Sequence, residues 1–127
     1  MKKIILILVT ILFFNCSSRI NSTNENNLIF SNKNEKIELE FLTENKFLET
    51  EVPTKVKIKT KNIKVEDLSF SAPGIKFAKT FPKVENEITL EINAKEENTT
   101  SGNFPLNVSY KKNNGELIFH KFLIPVK

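Results

Sequence analysis

Residues that build reactive sites are scarce in this chain. It has one cysteine, one histidine, three glycines and no tryptophan among 127 residues. A single cysteine cannot form an intramolecular disulfide, and a single histidine with no cysteine or carboxylate beside it cannot build a zinc site. So few glycines leave little material for a phosphate-binding loop, and no nucleophile elbow or zinc-protease motif occurs. We therefore expect no enzymatic activity, no metal and no cofactor.

The charge balance argues against nucleic acid as a partner. The chain has 19 Lys and Arg residues against 15 Asp and Glu residues, a formal net charge of +4. Two of the positive residues, Lys2 and Lys3, belong to the N-terminal segment, so the rest of the chain has 17 positive and 15 negative residues. Nucleic-acid binders carry a strongly basic face, and this balance of +2 predicts none.

A short apolar run opens the chain. Two lysines precede residues 4–14, which are apolar except for one threonine, and Asn15 and Cys16 follow. Eleven helical residues span about 16 Å, roughly half of the hydrocarbon core of a bilayer, so a transmembrane helix is not expected. A charged start, a short apolar centre and a polar stop predict a secretory signal peptide over residues 1–15.

The cysteine that follows this run resembles the lipobox of bacterial lipoproteins. In that family the cysteine becomes the lipid-modified first residue of the mature protein, so the resemblance implies lipid attachment at Cys16 and a membrane partner. The usual lipobox has leucine three positions before the cysteine and a small residue directly before it, where this chain has Phe13 and Asn15. An uncleaved anchor helix followed by a free thiol is the alternative.

A polar segment separates the cysteine from the rest of the chain. Residues 17–27 contain one large apolar residue, Ile20, and cannot bury enough surface to fold, so residues 16–27 are predicted to be the lipidated cysteine and a flexible tether. The eleven residues after Cys16 reach at most about 36 Å. No acidic run follows the cysteine, and such runs mark surface export in some lipoprotein groups. We expect a lipid-anchored protein of the cell envelope, on the outer membrane and facing the periplasm.

Residues 28–127 consist of short stretches in which apolar and polar residues alternate. Residues 37–41, 55–59 and 88–94 each place apolar side chains on one face and charged or polar side chains on the other. A period of two is typical of half-buried β-strands, and no sustained helical period appears. The final stretch, 117–126, is apolar on both faces, which predicts a central strand covered on both sides.

Turn residues separate these stretches. Asn114 and Gly115 tolerate the positive φ angles of a tight hairpin, which predicts that the strands on either side are antiparallel neighbours. Pro73 and Gly74 occupy the second and third places of a predicted type II turn.

About seven short strands without helices predict an all-β fold, an antiparallel immunoglobulin-like sandwich over residues 28–127. Residues 101–110, with Gly102 and Phe104 leading into alternating apolar residues, resemble the penultimate strand of many bacterial immunoglobulin-like domains. Residues 51–75 are similar to repeated domains of the periplasmic shaft protein of the gliding-motility and type IX secretion machinery. An eight-stranded barrel is the alternative architecture.

Two groups of side chains are candidate interaction surfaces. Lys55, Lys57 and Lys59 share one strand face and form either a basic stripe for an anionic partner or, by the favoured interpretation, a guard on an edge strand. Phe77 and Phe81 form either an interaction patch or, by the favoured interpretation, part of the core.

The lone histidine and two pairs of adjacent carboxylates are predicted to have no catalytic or metal-binding role. His120 is predicted to be a strand residue at the surface or rim of a sheet. The adjacent carboxylates Glu66 and Asp67, and likewise Glu96 and Glu97, lie beside predicted turns and are expected to be solvated.

The leading hypothesis for function is a non-enzymatic, membrane-anchored envelope lipoprotein that acts as a protein-protein interaction or structural module. Its expected partner is an envelope protein bound at an exposed sheet edge or loop end, with no small-molecule cofactor. The alternative is a small β-barrel lipoprotein that binds a ligand or acts as an inhibitor, which requires a closed barrel with an apolar cavity. An enzyme would require a cleft with three or more carboxylates near lysine or tyrosine.

Overall fold

The computed structural model describes residues 28–78 and 83–127. Eight strands lie in them: β1 (Ile29–Asn32), β2 (Glu35–Phe41), β3 (Thr54–Lys61), β4 (Ser69–Ser71), β5 (Ile75–Phe77), β6 (Glu87–Ile92), β7 (Asn103–Lys111) and β8 (Leu117–Pro125). Two short 3-10 helices, Val65–Asp67 and Glu96–Asn98, lie in the connections between strands.

The strands form two antiparallel sheets. One sheet has the order β1-β2-β3-β6-β5, and the other has the order β4-β7-β8. Without β1, this is the four-plus-three strand order of constant-type immunoglobulin domains, in which the first, second, fifth and fourth strands share one sheet. The predicted antiparallel sandwich is confirmed, with eight strands instead of seven. The barrel alternative is wrong, since no ladder between named strands joins the two sheets in the described residues.

One core lies between the sheets, and the alternating sequence pattern explains it. In β3, Val56 and Ile58 are fully buried while the lysines between them face outward. In β7, Phe104 and Leu106 are fully buried and alternate with polar or half-buried residues. Complete burial of a large apolar side chain contributes about 1.5–3 kcal/mol relative to exposure. The period of two in the sequence thus becomes the two inner faces of the sandwich.

Both predicted turns are confirmed. The β7–β8 hairpin is closed by the N–H of Lys112, which donates to the carbonyl of Glu116 at 2.8 Å, and Gly115 in it has φ +88°. The turn before β5 has Gly74 at φ +76°, the left-handed conformation that a type II turn needs at its third residue.

Gly74 is required for a second reason, which gives a testable prediction. A Cβ atom at this position would lie 2.5 Å from the backbone carbonyl oxygen of Asn93. We expect Gly74→Ala to lower the free energy of unfolding by about 2 kcal/mol or more, because left-handed strain adds to a clash with backbone. Gly102 is a matched control, since its φ is also +76° but a Cβ there would meet nothing within 4 Å.

Urea titration of both variants measures the difference. Gly102→Ala should lose only the left-handed strain, about 1 kcal/mol. Equal losses for the two variants would mean that the contact with Asn93 relaxes at no cost.

Two expectations about strand position are wrong. β8 is an edge strand, not a central one, because it pairs with β7 alone among the named strands. β3 is central, between β2 and β6, so its lysines do not guard an edge. In both cases the side-chain pattern predicts the strand itself, but it does not determine how many neighbouring strands that strand has.

Candidate functional site

The outer face of β8 carries an exposed apolar row. Phe119 is 72% exposed, Leu117 52% and Leu123 42%. Lys121 lies between Phe119 and Leu123 on the same face and is also exposed, whereas Phe122 on the opposite face is fully buried. Single exposed apolar residues are normal on protein surfaces, but three on one face of one strand are a candidate interaction surface.

The backbone of β8 is open along the side away from β7. On that side the described partner is Leu48, whose N–H donates to the carbonyl of Pro125 at 2.8 Å and whose carbonyl accepts from Lys127 at 2.8 Å. Because the direction of the backbone groups alternates along a strand, every odd-numbered residue of β8 directs its N–H and C=O away from β7. The odd-numbered residues before Pro125, here called the β8 edge, are Leu117, Phe119, Lys121 and Leu123.

The β8 edge therefore combines two properties of a protein-binding strand. Its backbone groups have no backbone partner among the described residues. Its side chains stand on the solvent face of the sheet and are mostly apolar. Unpaired edges of this kind are templates for pairing with a further strand.

A groove of about 350 Å³ lies beside the β8 edge on the same face. Its floor is made of small polar side chains: Ser69 and Ser71 from β4, and Asn107 and Ser109 from β7. The ring of Phe119 lines it as well. Because the floor residues are short, a side chain from an added strand can lie against the Phe119 ring without displacing anything.

The candidate lysines lie on a sheet face where glutamates surround them. Lys59 forms an ion pair with Glu40 of β2, and Lys57 Nζ lies 3.6 Å from Glu87 Oε2 of β6. Lys55 is aligned with a glutamate of β6. The hydrogen bond from Lys59 lowers the pKa of Glu40. These lysines therefore belong to a face of mixed charge, and their use as an interaction surface stays a prediction.

The two candidate phenylalanines have different outcomes. Phe77 is 64% exposed at the end of β5, and its ring centroid is 6.1 Å from that of Phe70 in a T-shaped arrangement. The favoured interpretation of Phe77 as a core residue is wrong, because β5 is an edge strand that leaves this side chain at the rim. Phe81 lies outside the described residues, so the interaction patch stays a prediction.

A polar cleft of about 610 Å³ opens at the end of the sandwich where the start of β2 and the end of β7 meet the β3–β4, β5–β6 and β7–β8 connections. In it, Lys112 Nζ lies 3.3 Å from Glu35 Oε1, and the Tyr110 hydroxyl donates to the same oxygen at 3.2 Å. The Glu35 and Lys112 side chains are only 16% and 18% exposed. Burial raises the pKa of the Tyr110 phenol, and the charge of Glu35 contributes to the rise.

This network joins the two sheets at their rim. Glu35 starts β2 in one sheet, while Tyr110 and Lys112 lie at the end of β7 in the other. Two carboxylates, Glu35 and Asp67, line the cleft together with Tyr110 and three lysines. The Glu35 carboxylate already binds the Lys112 ammonium and the Tyr110 hydroxyl. These contacts hold the two sheets together, which is a structural role for Glu35.

His120 is more buried than the sequence indicated. It is half-buried on the core side of β8, with its ring centroid 4.6 Å from that of Phe30 and 4.5 Å from that of Phe122. This environment disfavours the imidazolium ion, so burial lowers the pKa of His120 below its ordinary value of 6.5. His120 thus contacts two aromatic rings instead of lying on the solvent face.

The lowered pKa predicts a pH-dependent stability. An unfolded chain protonates His120 more readily than the folded chain does, so this contribution is complete above about pH 6.5 and is lost as the pH falls through the folded pKa. We expect the free energy of unfolding to decrease between pH 7.5 and pH 5.5. His120→Gln should flatten that dependence, and His120 is the only histidine in the chain. Urea titrations at several pH values measure both slopes, and equal slopes would contradict the assignment.

The two carboxylate pairs do not form a further site. Glu66, Asp67, Glu96 and Glu97 are exposed in the 3-10 helices, so their interpretation as solvated groups is confirmed. Within residues 28–78 and 83–127, no group of three or more His, Cys, Asp or Glu side chains is placed to hold a metal. No helix in these ranges has the length and apolar character needed to cross a membrane.

The predicted lipid-attachment residue, Cys16, lies outside the described residues, as do the predicted signal peptide and tether. Searches of protein-family models, of curated proteins and of solved structures found no match to this chain.

Sequence reasoning missed the β8 edge. The apolar residues on both faces of segment 117–126 predict burial on both sides, whereas the structure exposes the outer face. One signal in the sequence pointed the other way, because Lys121 shares the face of Phe119 and Leu123 and a lysine is almost never fully buried.

Proposed function

We propose that this protein is a non-enzymatic, lipid-anchored module of the cell envelope that binds a polypeptide segment by strand addition at the β8 edge. The observation that carries the proposal is that the backbone groups of the β8 edge have no backbone partner within residues 28–78 and 83–127, while Leu117, Phe119 and Leu123 form an exposed apolar row on the same strand. The anchor is Cys16, for which the support is the lipobox resemblance of the first sixteen residues.

Strand addition uses both properties of this edge. Each backbone hydrogen bond to an added strand contributes about 0.5–1.5 kcal/mol net, and these bonds are independent of the partner's sequence. The partner's side chains that alternate onto the outer face contact the apolar row, which supplies the specificity. The groove beside Phe119 offers space for one such side chain.

The outer face of the five-stranded sheet, where lysines and glutamates lie side by side, is a less suitable surface for a protein partner. Its lysines are matched by glutamates of neighbouring strands, as Lys59 is by Glu40, and within β2 Lys36 Nζ lies 3.1 Å from Glu38 Oε2. Charged groups of this kind must lose water on binding, and the central strands offer no free backbone groups. The β8 edge is therefore the surface that we assign to the partner.

The test is photo-crosslinking in living cells. A benzophenone amino acid replaces Phe119 in the full chain, and a second variant carries it at Lys57 on the other sheet as the matched control. We expect a crosslinked protein product from position 119 and at least ten times less from position 57.

Lys121→Pro tests whether crosslinking at position 119 needs the free backbone groups of β8. The N–H of Lys121 points away from β7, so proline removes a donor of the free edge without removing a bond of the β7–β8 ladder. We expect this change to reduce crosslinking from position 119 by at least tenfold while the thermal melting curve remains cooperative. Crosslinking that survives Lys121→Pro, or that is as strong from position 57, would exclude strand addition at β8.

A further inference from the structure

We infer that the segment added at the β8 edge is the β8 edge of a second copy of this chain, so that two domains form a symmetric dimer. This inference rests on the proposed function, because it names the partner of the same site. Its basis is the sequence of the β8 edge, which is complementary to itself in one register.

The length of the open edge limits the possible registers. Leu48 already occupies the backbone groups of Pro125 and Lys127, so strand addition is confined to residues before Pro125. Toward the other end, β8 begins at Leu117, directly after the β7–β8 hairpin. The open edge therefore runs from Leu117 to Leu123, and its midpoint is His120.

Symmetry fixes the direction of the pair. A two-fold axis relates identical patches, and two strands that exchange hydrogen bonds across such an axis run antiparallel. With the axis at His120, Leu117 lies opposite Leu123 of the second copy, and Phe119 lies opposite Lys121 of the second copy. The two-fold axis generates each of these pairs twice, which gives four pairs in all. Every residue in them directs its backbone groups to the free edge, as a hydrogen-bonded antiparallel pair requires.

The side chains are complementary in this register. Leucine meets leucine at both ends, and each Lys121 ammonium lies next to a Phe119 ring, where cation–π attraction is worth about 0.5–1 kcal/mol at an exposed site. An axis at Lys121 places two lysines directly opposite each other, which is destabilising. An axis at Phe119 places Leu123 opposite Gly115 in the hairpin and loses the leucine pairs. Of these three axes, only the one at His120 keeps both leucine pairs and separates the two lysines.

The tether is compatible with this arrangement. The chain enters each domain close to the two-fold axis, because the Phe30 ring of β1 lies 4.6 Å from the His120 ring and Leu28 is only two residues before Phe30. When the two-fold axis is perpendicular to the bilayer, the two entry points at Leu28 lie at the same height. A tether of about 36 Å reaches the lipid from each.

Cysteine crosslinking tests the inference in membranes of cells that express the full chain. His120 would lie opposite its own counterpart at a non-hydrogen-bonded position, where Cα atoms are about 4.5 Å apart and a disulfide can form. After oxidation, we expect most of the His120→Cys chain at twice the monomer mass on a non-reducing gel. Phe119→Cys and Lys121→Cys should each give less than one-tenth of that product, because each would be diagonal to its own counterpart at about 7–8 Å.

A second pair of variants protects the test against loss of folding at the half-buried His120. Leu117 and Leu123 are exposed, so cysteines there should leave the fold intact. Cells that express Leu117→Cys and Leu123→Cys chains together should contain the crosslinked dimer, and cells that express either alone should not. The unsubstituted chain, whose lone cysteine is Cys16, is the background control.

The outcomes separate this inference from the proposed function. Failure of both His120→Cys and the mixed leucine variants to crosslink would overturn the dimer. If photo-crosslinks from position 119 then join the chain to a protein of different mass, strand addition stands with another partner. If position 119 gives no product either, both proposals fall. A dimer that forms from Phe119→Cys or Lys121→Cys instead overturns the His120 axis.

Discussion

Cys16→Ala is expected to abolish fatty-acid labelling of this protein. In the lipoprotein family, acyl chains are attached to the cysteine that follows the signal peptide, and this chain has no second cysteine that could accept them. Each buried methylene contributes about 0.8 kcal/mol to membrane binding, so several chains on one residue account for essentially all of the anchoring. Cells fed a clickable fatty acid should therefore contain labelled wild-type protein and unlabelled Cys16→Ala protein.

Fractionation of the same cells tests the membrane claim separately. Wild-type protein should sediment with membranes and partition into detergent, and Asn15→Ala, which leaves the cysteine in place, should behave in the same way. Equal labelling of wild type and Cys16→Ala, or a purified mature protein that begins at a residue other than Cys16, would contradict the lipid anchor. The alternative of an uncleaved helix with a free thiol would then apply.

Phe122→Ala should unfold much of the protein at physiological temperature. Phe122 is fully buried, lies opposite Leu106 in β7 and contacts the His120 ring edge to face. Removal of a buried phenylalanine ring typically costs about 3–5 kcal/mol, because a cavity is left in a close-packed core. For a domain of about 100 residues, whose total stability is about 5–15 kcal/mol, this loss lowers the Tm by more than about 12 °C.

Phe77→Ala is the matched control for Phe122→Ala, because the chemical change is identical and only the burial differs. Phe77 is 64% exposed, and its contact with Phe70 is an aromatic pair at the rim. We expect a loss of about 1 kcal/mol or less. Differential scanning calorimetry of both variants measures the contrast, and similar losses would show that the assigned inner face of β8 is incorrect.

The fold could be predicted from the sequence because its signals are local. Alternation in segments such as 55–59 and 88–94 identifies strands through adjacent residues, and the Gly74 and Gly115 turns depend on backbone angles that few other residues adopt. The order of the strands was less accessible. Whether β3 or β8 lies at an edge depends on pairings between residues far apart in sequence, and no local pattern encodes them.

The candidate sites illustrate the same limit. Glu35 and Tyr110 are 75 positions apart, so their hydrogen bond had no sequence signal. The lysines of β3 formed an evident stripe, but the glutamates that neutralise them come from β2 and β6. The apolar row of β8 resembled a buried strand because exposure of Phe119 depends on the absence of a covering layer, which is a property of the whole fold.

The charge pattern on the outer face of the five-stranded sheet affects how this face interacts with charged lipid headgroups. Pairs such as Lys59 with Glu40 alternate positive and negative groups at the spacing of neighbouring strands. Fields from such closely spaced opposite charges cancel within a few ångströms, well inside the Debye length of about 8–10 Å. If the proposed anchor at Cys16 holds the domain near lipid headgroups, this face would experience little net electrostatic attraction to them. The domain could then rotate about its attachment, and the opposite face would remain accessible to a partner.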